Sequence, residues 1–515
     1  MKSRITVEEI LTSYDASAPL AAASTIPAPW YVDERIAELE RQTVFSRTWQ
    51  VMGRLDQVEK PGQFVTATVA GEPIVAVRGN DGVLRAFYNV CRHHAAAVAT
   101  EPCGQASMLH CPYHGWNYGL DGSLKGMPEF EGVKNFERKE NGLVPVKVDT
   151  WEQFVFVNLD PHAAPLSDFL GALVRRTAPL GLSKLHYFTT KVYDIHCNWK
   201  VFVDNYLDGG YHVPHLHKGL NSVLDYKQYT IENEDRYSLQ SSPLVFPDET
   251  AAAASTRKGD RAWYFWQYPN FMINYYEGYL DTNLVIPIDV DHCRVIFDFS
   301  FGDVSESKRE FNERSVATGA GVQDEDLGIC EAVQRGLKSR AYGAGRLSVR
   351  REAGEHLFHR LLAADLKSGL RQNAAAADQL KDVIATTGSS EALESRRPKI
   401  WKWVALAFIL VVGFAIYGVR AGNTDSWPQT NCTVTSSRVV QYVVPPPGRV
   451  LVMYRGEYEL RYNVGGRDYF IWANAGWSDP DRRLVQDKVD DLPKVCAFKV
   501  RYNPRNPADG TAIRE

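Results

Sequence analysis

The sequence predicts an α+β architecture in about three domains: a small antiparallel β domain, a larger mixed domain and, past a long apolar segment, a second small β domain. Three observations lead there. Residues 40–165 alternate short β-rich runs with Gly, Pro, Asn and Asp turns, as in FVTATVAGEPIVAVRGNDGVLRAFYNV. Residues 166–375 mix helical stretches with aromatic strands. Residues 400–419, IWKWVALAFILVVGFAIYGV, carry a single charge, Lys402. At 44% apolar and 23% charged, the 515-residue chain has the composition of folded globular protein.

The chain opens MKSRITVEEILTSYD, with two adjacent glutamates and no apolar stretch behind its basic residues, which is not the pattern of a secretory signal. Residues 1–39 are expected to form a helical arm of the mixed domain, and the first part of the chain is expected in the cytoplasm. Thiols stay reduced there, so clustered Cys and His read as metal or catalytic groups rather than disulfides. A net charge of −4 and the lack of an arginine-rich stripe argue against nucleic acid as a partner.

The first such cluster is CRHHAAAVATEPCGQASMLHCPYHGW, residues 91–116. Cys91-x-His93 and Cys111-x2-His114 form two Cys/His pairs on tight loops. Two sulfurs and two nitrogens suit zinc, or a [2Fe–2S] cluster with both histidines on one iron. The flanks NVCRHHA and CPYHGWNYGLDGSLKG resemble the Rieske domain of the Rieske non-haem iron oxygenases, whose two pairs lie fifteen to seventeen residues apart. The resemblance implies Cys91, His93, Cys111 and His114 as cluster ligands. His94, Cys103 and His110 fall outside the motif and are expected to pack or to sit behind the ligands; His110 adjoins Cys111 and should face the other way on an extended chain. Respiratory-chain Rieske proteins carry an extra cysteine in each loop, whereas position 113 is Tyr and no Cys follows His93 before Cys103.

The second cluster is NWKVFVDNYLDGGYHVPHLHKG, residues 198–219. An oxygen-activating iron needs two neutral imidazoles and a carboxylate on one side, with positions left open. His212, His215 and His217 are candidates. Pro214 disfavours helix at Val213, so the chain should bend and let His217 swing back towards His212. The segment resembles the family's H-x4-H motif, which His212 and His217 match and His215 does not. GVQDEDLGICEAVQRGL, residues 321–337, resembles the helix that carries the third ligand; Asp326 aligns, with Asp324 and Glu325 as alternatives. Asp208 lies four residues before His212, on the same face of a helix, where it can hold the second imidazole nitrogen. The family's acidic bridge to a neighbouring subunit's Rieske histidine sits near this position, which gives Asp208 a catalytic role; Asp204 is the fallback.

The resemblance spans residues ~30–370 and implies a Rieske domain followed by a helix-grip, START-like catalytic domain. It further implies one [2Fe–2S] cluster, one mononuclear Fe(II), O2 as oxidant and a head-to-tail homotrimer. No G-x-G-x-x-G follows a strand, so a separate NAD(P)H-dependent reductase or a ferredoxin must supply electrons. DNYLDGGYHVP and EDLGICEAVQRGL look most like the choline-monooxygenase-like branch. A quaternary ammonium would want an aromatic cage, for which WYFWQYPNFMINYYEGY, residues 263–279, is a source. The alternatives are aromatic-ring dioxygenation and a membrane-anchored electron-transfer or scaffold role.

Residues 376–399 read as a linker, and 400–419 as one transmembrane helix, about the twenty residues a bilayer core needs. Arg396, Arg397, Lys399 and Lys402 outnumber Arg420, which places the oxygenase part on the cytoplasmic side. Residues 420–515 would then be an extracytoplasmic β domain, in which Cys432 and Cys496 could pair. Its ending, KVRYNPRNP, resembles an uncharacterised family of membrane-attached β domains.

Overall fold

Short β-branched runs joined by glycine turns build the first sheet. The hairpin between β2 (Gln63–Val69) and β3 (Glu72–Arg78) closes on Ala70 and Gly71, both at positive φ (51° and 82°), the twist a two-residue hairpin loop requires. A computed structural model describes residues 5–246, 256–388, 429–444, 451–464, 467–479, 498–503 and 506–514. In it β1 (Gln50–Arg54), β2, β3, β4 (Leu84–Tyr88), β5 (Cys103–Gln105), β9 (Pro145–Trp151) and β10 (Phe154–Asn158) form an antiparallel sheet in the order β1-β10-β9-β4-β3-β2-β5. A three-stranded sheet of β6 (Leu109–His110), β7 (Asn117–Tyr118) and β8 (Leu124–Gly126) carries the second Cys/His loop.

The mixed domain is a seven-stranded antiparallel sheet ordered β11-β17-β16-β15-β14-β13-β12: β11 (His186–Ile195), β12 (Thr230–Glu234), β13 (Tyr237–Pro243), β14 (Arg261–Gln267), β15 (Phe271–Tyr276), β16 (Tyr279–Pro287) and β17 (Cys293–Phe301). Its strands alternate cleanly between two cores. Trp266, Met272, Tyr276, Val295, Phe297 and Phe299 face helices, where they meet Trp199, Phe202 and Phe358. Phe265, Phe271, Ile273 and Leu280 face the other way, against Trp49, Trp151, Phe154 and Phe156 of the first domain. The first β domain and the α+β domain are therefore packed on one another within one compact unit.

Four helices position the site: α1 (Glu34–Glu40), α2 (Trp199–Leu207), α3 (Arg309–Leu337) and α4 (Ala353–Gly388). The N-terminal arm is bound into the helix-side core through Ile10, Trp30 and Ile36. The last residue of α1, Glu40, meets Lys200 of α2 at 2.6 Å in a fully buried ion pair. The expected linker begins as a continuation of α4, which runs to Gly388.

The C-terminal unit is an antiparallel sheet of five strands, ordered β20-β19-β18-β21-β22: β18 (Gln429–Val444), β19 (Leu451–Val464), β20 (Arg467–Asp479), β21 (Phe498–Asn503) and β22 (Asn506–Arg514). The expected membrane span at 400–419 and Cys496 lie outside the described residues. Among those described, no helix is long and apolar enough to cross a membrane.

Candidate active site

The two Cys/His loops have the same backbone design. Cys91 N–H donates to Ala96 O (2.8 Å) and Ala95 N–H to Cys91 O (3.0 Å). Likewise Cys111 N–H donates to Trp116 O (2.8 Å) and Gly115 N–H to Cys111 O (3.1 Å). The fourth residue after each cysteine is left-handed, Ala95 at φ 61° and Gly115 at φ 70°. Both thiols are buried in one apolar cluster with Trp116, Tyr118 and Leu124. The His93 and His114 rings lie 4.7 Å apart, and His93 stacks on Trp116 at 4.8 Å.

His93 Nδ1 is buried and has no hydrogen-bond partner among the described residues, and burial, with His94 and His114 adding to it, lowers its pKa. A neutral imidazole with an orphaned nitrogen beside two buried thiols fits an iron–sulfur cluster. Tyr118 adds a second layer: its hydroxyl lies 3.3 Å from Cys91 Sγ and accepts from Arg92 N–H at 2.9 Å. Burial first, then the Cys91 sulfur, raises the Tyr118 pKa, so the phenol stays protonated.

The three residues outside the motif are accounted for. His94 is exposed, its ring 4.1 Å from that of His93. His110 Nδ1 pairs across the strands with Asn117 Oδ1 at 2.5 Å, and Cys103 packs beside a separate valine-rich core.

The second centre is assembled by α2, the bend after it and α3. Val213–Leu216 makes a single helical turn with Pro214 in its first positions, and the helical path breaks at His217 (φ −101°, ψ 74°). The break brings the His212 and His217 rings to 4.8 Å and 81°. Asp326 comes from the buried face of α3, in phase with Gln323, Cys330 and Gln334. Its Oδ1 is 3.1 Å from His217 Nε2 and 3.9 Å from His212 Nε2. Each Nδ1 is held by a carboxylate, His212 by Asp208 Oδ2 and His217 by Glu325 Oε2, both at 2.6 Å. Both Nε2 atoms are thereby turned to a common point shared with one carboxylate, the donor set and outer support an Fe(II) site requires. His217 is buried, which lowers its pKa, but Asp326 and Glu325 outweigh this and raise it, so a proton competes with a metal ion for its nitrogen.

Asp324 is exposed, and Glu325 serves as the partner of His217 instead of lying at the shared point. His215 is exposed. Asp204 does not approach His212: it accepts from Tyr31 Oη (2.5 Å) and pairs with His359 Nε2 (2.9 Å). Asn205, on the next position of α2, donates to Asp326 Oδ1 at 2.9 Å. Sequence reasoning missed Asn205 and Tyr118, and it offered Glu325 as an alternative ligand where the structure makes it the partner of His217 Nδ1; Asn205 adjoins Asp204, which it did single out.

The three side chains open on a cavity of about 130 Å³ walled by α2, α3 and the helix-side face of the sheet. Of the aromatic stretch 263–279, Tyr264 and Tyr276 line it; Trp263, Phe265, Phe271 and Tyr275 pack on the opposite side of the sheet. Phe202, Tyr206, Tyr229, Phe297 and Phe299 complete the aromatic wall. Burial raises the pKa of Tyr206, Tyr229, Tyr264 and Tyr276, so their hydroxyls remain neutral.

A Cys/His loop pair in a β domain, followed by a two-histidine, one-carboxylate centre in an α+β domain, defines a Rieske-type oxygenase. Residues 48–137 match the Rieske [2Fe-2S] domain and residues 182–368 the ring hydroxylating alpha subunit catalytic domain, while 430–515 match a domain of unknown function, DUF3592. The chain is 38% identical over 372 residues to choline monooxygenase of Arabidopsis thaliana, covering 70% of this chain and 87% of that protein. It is 33% identical over 365 residues to the carnitine monooxygenase oxygenase subunit of Escherichia coli K12, covering 67% and 94%. A crystal structure of a quaternary ammonium Rieske monooxygenase with an inhibitor superposes with a TM-score of 0.63 at 28% identity, over 70% of this chain and 99% of that one. The chain belongs to the Rieske non-haem iron oxygenases. It is an oxidoreductase that relays electrons from a [2Fe–2S] cluster to a mononuclear iron and uses O2 to hydroxylate an organic substrate, with a separate reductase or ferredoxin as donor.

Proposed function

We propose that the chain is a monooxygenase of small quaternary amines. The observation that carries this is the convergence of His212 and His217 Nε2 on Asp326 Oδ1 at a cavity walled by neutral aromatic side chains. In this reading Cys91, His93, Cys111 and His114 hold the cluster, and His212, His217 and Asp326 hold the iron, which when bound supplies oxygen activation. Asp208 and Glu325 fix the imidazole tautomers, and Asn205 orients the ligand carboxylate. The phenyl and phenol faces of Phe297, Phe299 and Tyr264 attract a quaternary ammonium that offers no hydrogen to donate. The walls also exclude water from the substrate carbon.

The assembly proposed is a homotrimer in which Asp208, hydrogen-bonded to His212, bridges to the Rieske histidine of a neighbouring subunit, so that electrons pass from that subunit's cluster to the iron. Inter-subunit electron transfer is described for a related quaternary ammonium Rieske monooxygenase that covers 68% of this chain at 29% identity. Residues 400–419 are proposed to anchor the chain by one transmembrane helix, with the oxygenase part cytoplasmic and 420–515 across the membrane, on their length, apolarity and flanking charge. The domain limits proposed are 1–39, 40–165 and 166–375 for arm, Rieske and catalytic domains, then linker, membrane helix and β domain.

The test is a single turnover. Full chain loaded with iron and sulfide is reduced, mixed with O2 and given choline, carnitine and betaines beside benzoate, phthalate and naphthalene. Oxygenated product is expected from quaternary amines alone; product from the aromatic compounds instead would assign ring hydroxylation.

A further inference from the structure

The cavity contains a buried cation, Arg257, that packs on two tyrosines of the wall and hydrogen-bonds Tyr276, yet keeps one donor unfilled. Among the described residues that line it, Arg257 is the sole Arg or Lys. It is 6% exposed, and its guanidinium lies over the rings of Tyr279 and Tyr276, with Cζ 4.3 and 4.8 Å from their centroids. Its Nη1 is buried and has no hydrogen-bond partner among the described residues. Asp281 also lines the cavity, but both its oxygens are taken: Oδ1 accepts from Asn274 Nδ2 at 2.6 Å and Oδ2 from Tyr279 Oη at 2.7 Å. Arg257 thus keeps a full positive charge, two aromatic faces and an unfilled donor in a water-poor site. A buried donor on a charged group left without an acceptor is costly, and among the described residues Nη1 meets none, Asp281 acting on the guanidinium only through its charge.

We infer that Arg257 anchors a carboxylate of the substrate, so that the preferred substrate is a zwitterion: a quaternary ammonium compound that also carries a carboxylate. A planar guanidinium suits a carboxylate better than a hydroxyl, since it offers parallel N–H donors to two oxygens. The carboxylate pairs with Arg257, and the quaternary ammonium takes aromatic faces that Arg257 does not occupy, those of Tyr264, Phe297 and Phe299. A choline-like alcohol would leave the Arg257 charge unpaired and add a second cation to the same cavity. This assignment rests on the quaternary amine reading above and narrows it.

The test is calorimetric binding to the full iron-loaded chain, with γ-butyrobetaine, choline and the carbon isostere of γ-butyrobetaine, in which a tert-butyl group replaces trimethylammonium. The wild type is expected to bind γ-butyrobetaine at least about 30-fold more tightly than choline, the cost of leaving one partner of a buried charge pair unmatched. Arg257→Gln should erase that preference, weakening γ-butyrobetaine at least about 10-fold while choline, freed of the neighbouring cation, binds as tightly as to the wild type or more tightly, and Arg257→Lys, which keeps charge but not the fork, should fall between. Each variant is compared at unchanged Rieske absorbance and melting temperature. Choline binding as tightly as γ-butyrobetaine, or Arg257→Gln weakening both alike, overturns the assignment. Tight binding of the isostere alone, lost in Arg257→Gln, keeps the anion anchor and rejects the quaternary amine reading. Binding of none of the three overturns both.

Discussion

Breaking the ion pair that ties the end of α1 to α2 should cost several kilocalories and loosen the iron site. Lys200 Nζ and Glu40 Oε1 lie 2.6 Å apart with side chains 0% and 2% exposed. Trp199 Nε1 donates to the other carboxylate oxygen at 2.8 Å. Burial pulls the Lys200 pKa down and the Glu40 carboxylate opposes it. Removing one partner of such a pair typically costs ~3–5 kcal/mol, because the other charge is left buried. In Lys200→Met the Trp199 N–H still serves Glu40, so about 3 kcal/mol is expected. At roughly 2 °C per kcal/mol for a chain of this size that is a fall of about 6 °C in melting temperature. Lys200→Met combined with Glu40→Gln should recover most of it, within ~1 kcal/mol of wild type, since the stranded charge is gone and the amide oxygen still accepts from Trp199 Nε1. The same helix, α2, carries Asn205 to Asp326, so Lys200→Met should also lower iron retention. The assay is a double-mutant cycle by thermal unfolding, with iron counted per chain. Single variants costing under ~1 kcal/mol, or an additive double variant, would refute the argument.

Three further outcomes are expected. Tyr118→Phe removes the hydroxyl 3.3 Å from Cys91 Sγ, and loss of one such bond, about 1.4 kcal/mol, should lower the cluster's one-electron potential by about 60 mV, read by redox titration. Asp208→Asn gives up the carboxylate that holds His212 Nδ1 at 2.6 Å, so iron affinity should fall ~10–100-fold, and at saturating iron the Rieske cluster should reoxidise slowly with an unaltered absorption spectrum. Burial first, then Asp204, Glu352 and Asp208, raises the pKa of Glu355 well above the ordinary 4.5. The folded chain therefore holds this proton more tightly than the unfolded one, and its contribution to stability is full below that value and lost as pH rises through the folded pKa. Glu355→Gln should flatten the decline of melting temperature between acid and neutral pH; an unchanged slope would show that Glu355 is ionised in the fold.

The Rieske loops were legible because their ligands are local: Cys91 and His93, Cys111 and His114 each lie within one tight loop, whose glycine or alanine turn is a short-range feature. Pro214 made the bend after α2 legible, while the choice of His212 and His217 over His215 came from the family's H-x4-H motif. Asp326 needed the resemblance, since neighbouring acids share the segment and only helical phase places Asp326 on the buried face and Glu325 beside His217. The aromatic stretch 263–279 showed its strands but not its cavity face; alternation assigns Tyr264 and Tyr276 to the cavity and Trp263 and Phe265 to the opposite core. Arg257 was illegible, because its meaning depends on Tyr276, Tyr279 and α3 closing around it, contacts that no local pattern encodes.

The most direct test of the account compares wild type with Asp326→Ala in one turnover under isotopically labelled O2, with γ-butyrobetaine as substrate. The wild type should place label in the product while its reduced cluster reoxidises. Asp326→Ala should keep the Rieske absorption, bind one iron fewer per chain and yield no labelled product. Labelled product from Asp326→Ala at the wild-type level, or wild-type product whose oxygen comes from water, would contradict the assignment of oxygenation to the His212, His217 and Asp326 centre.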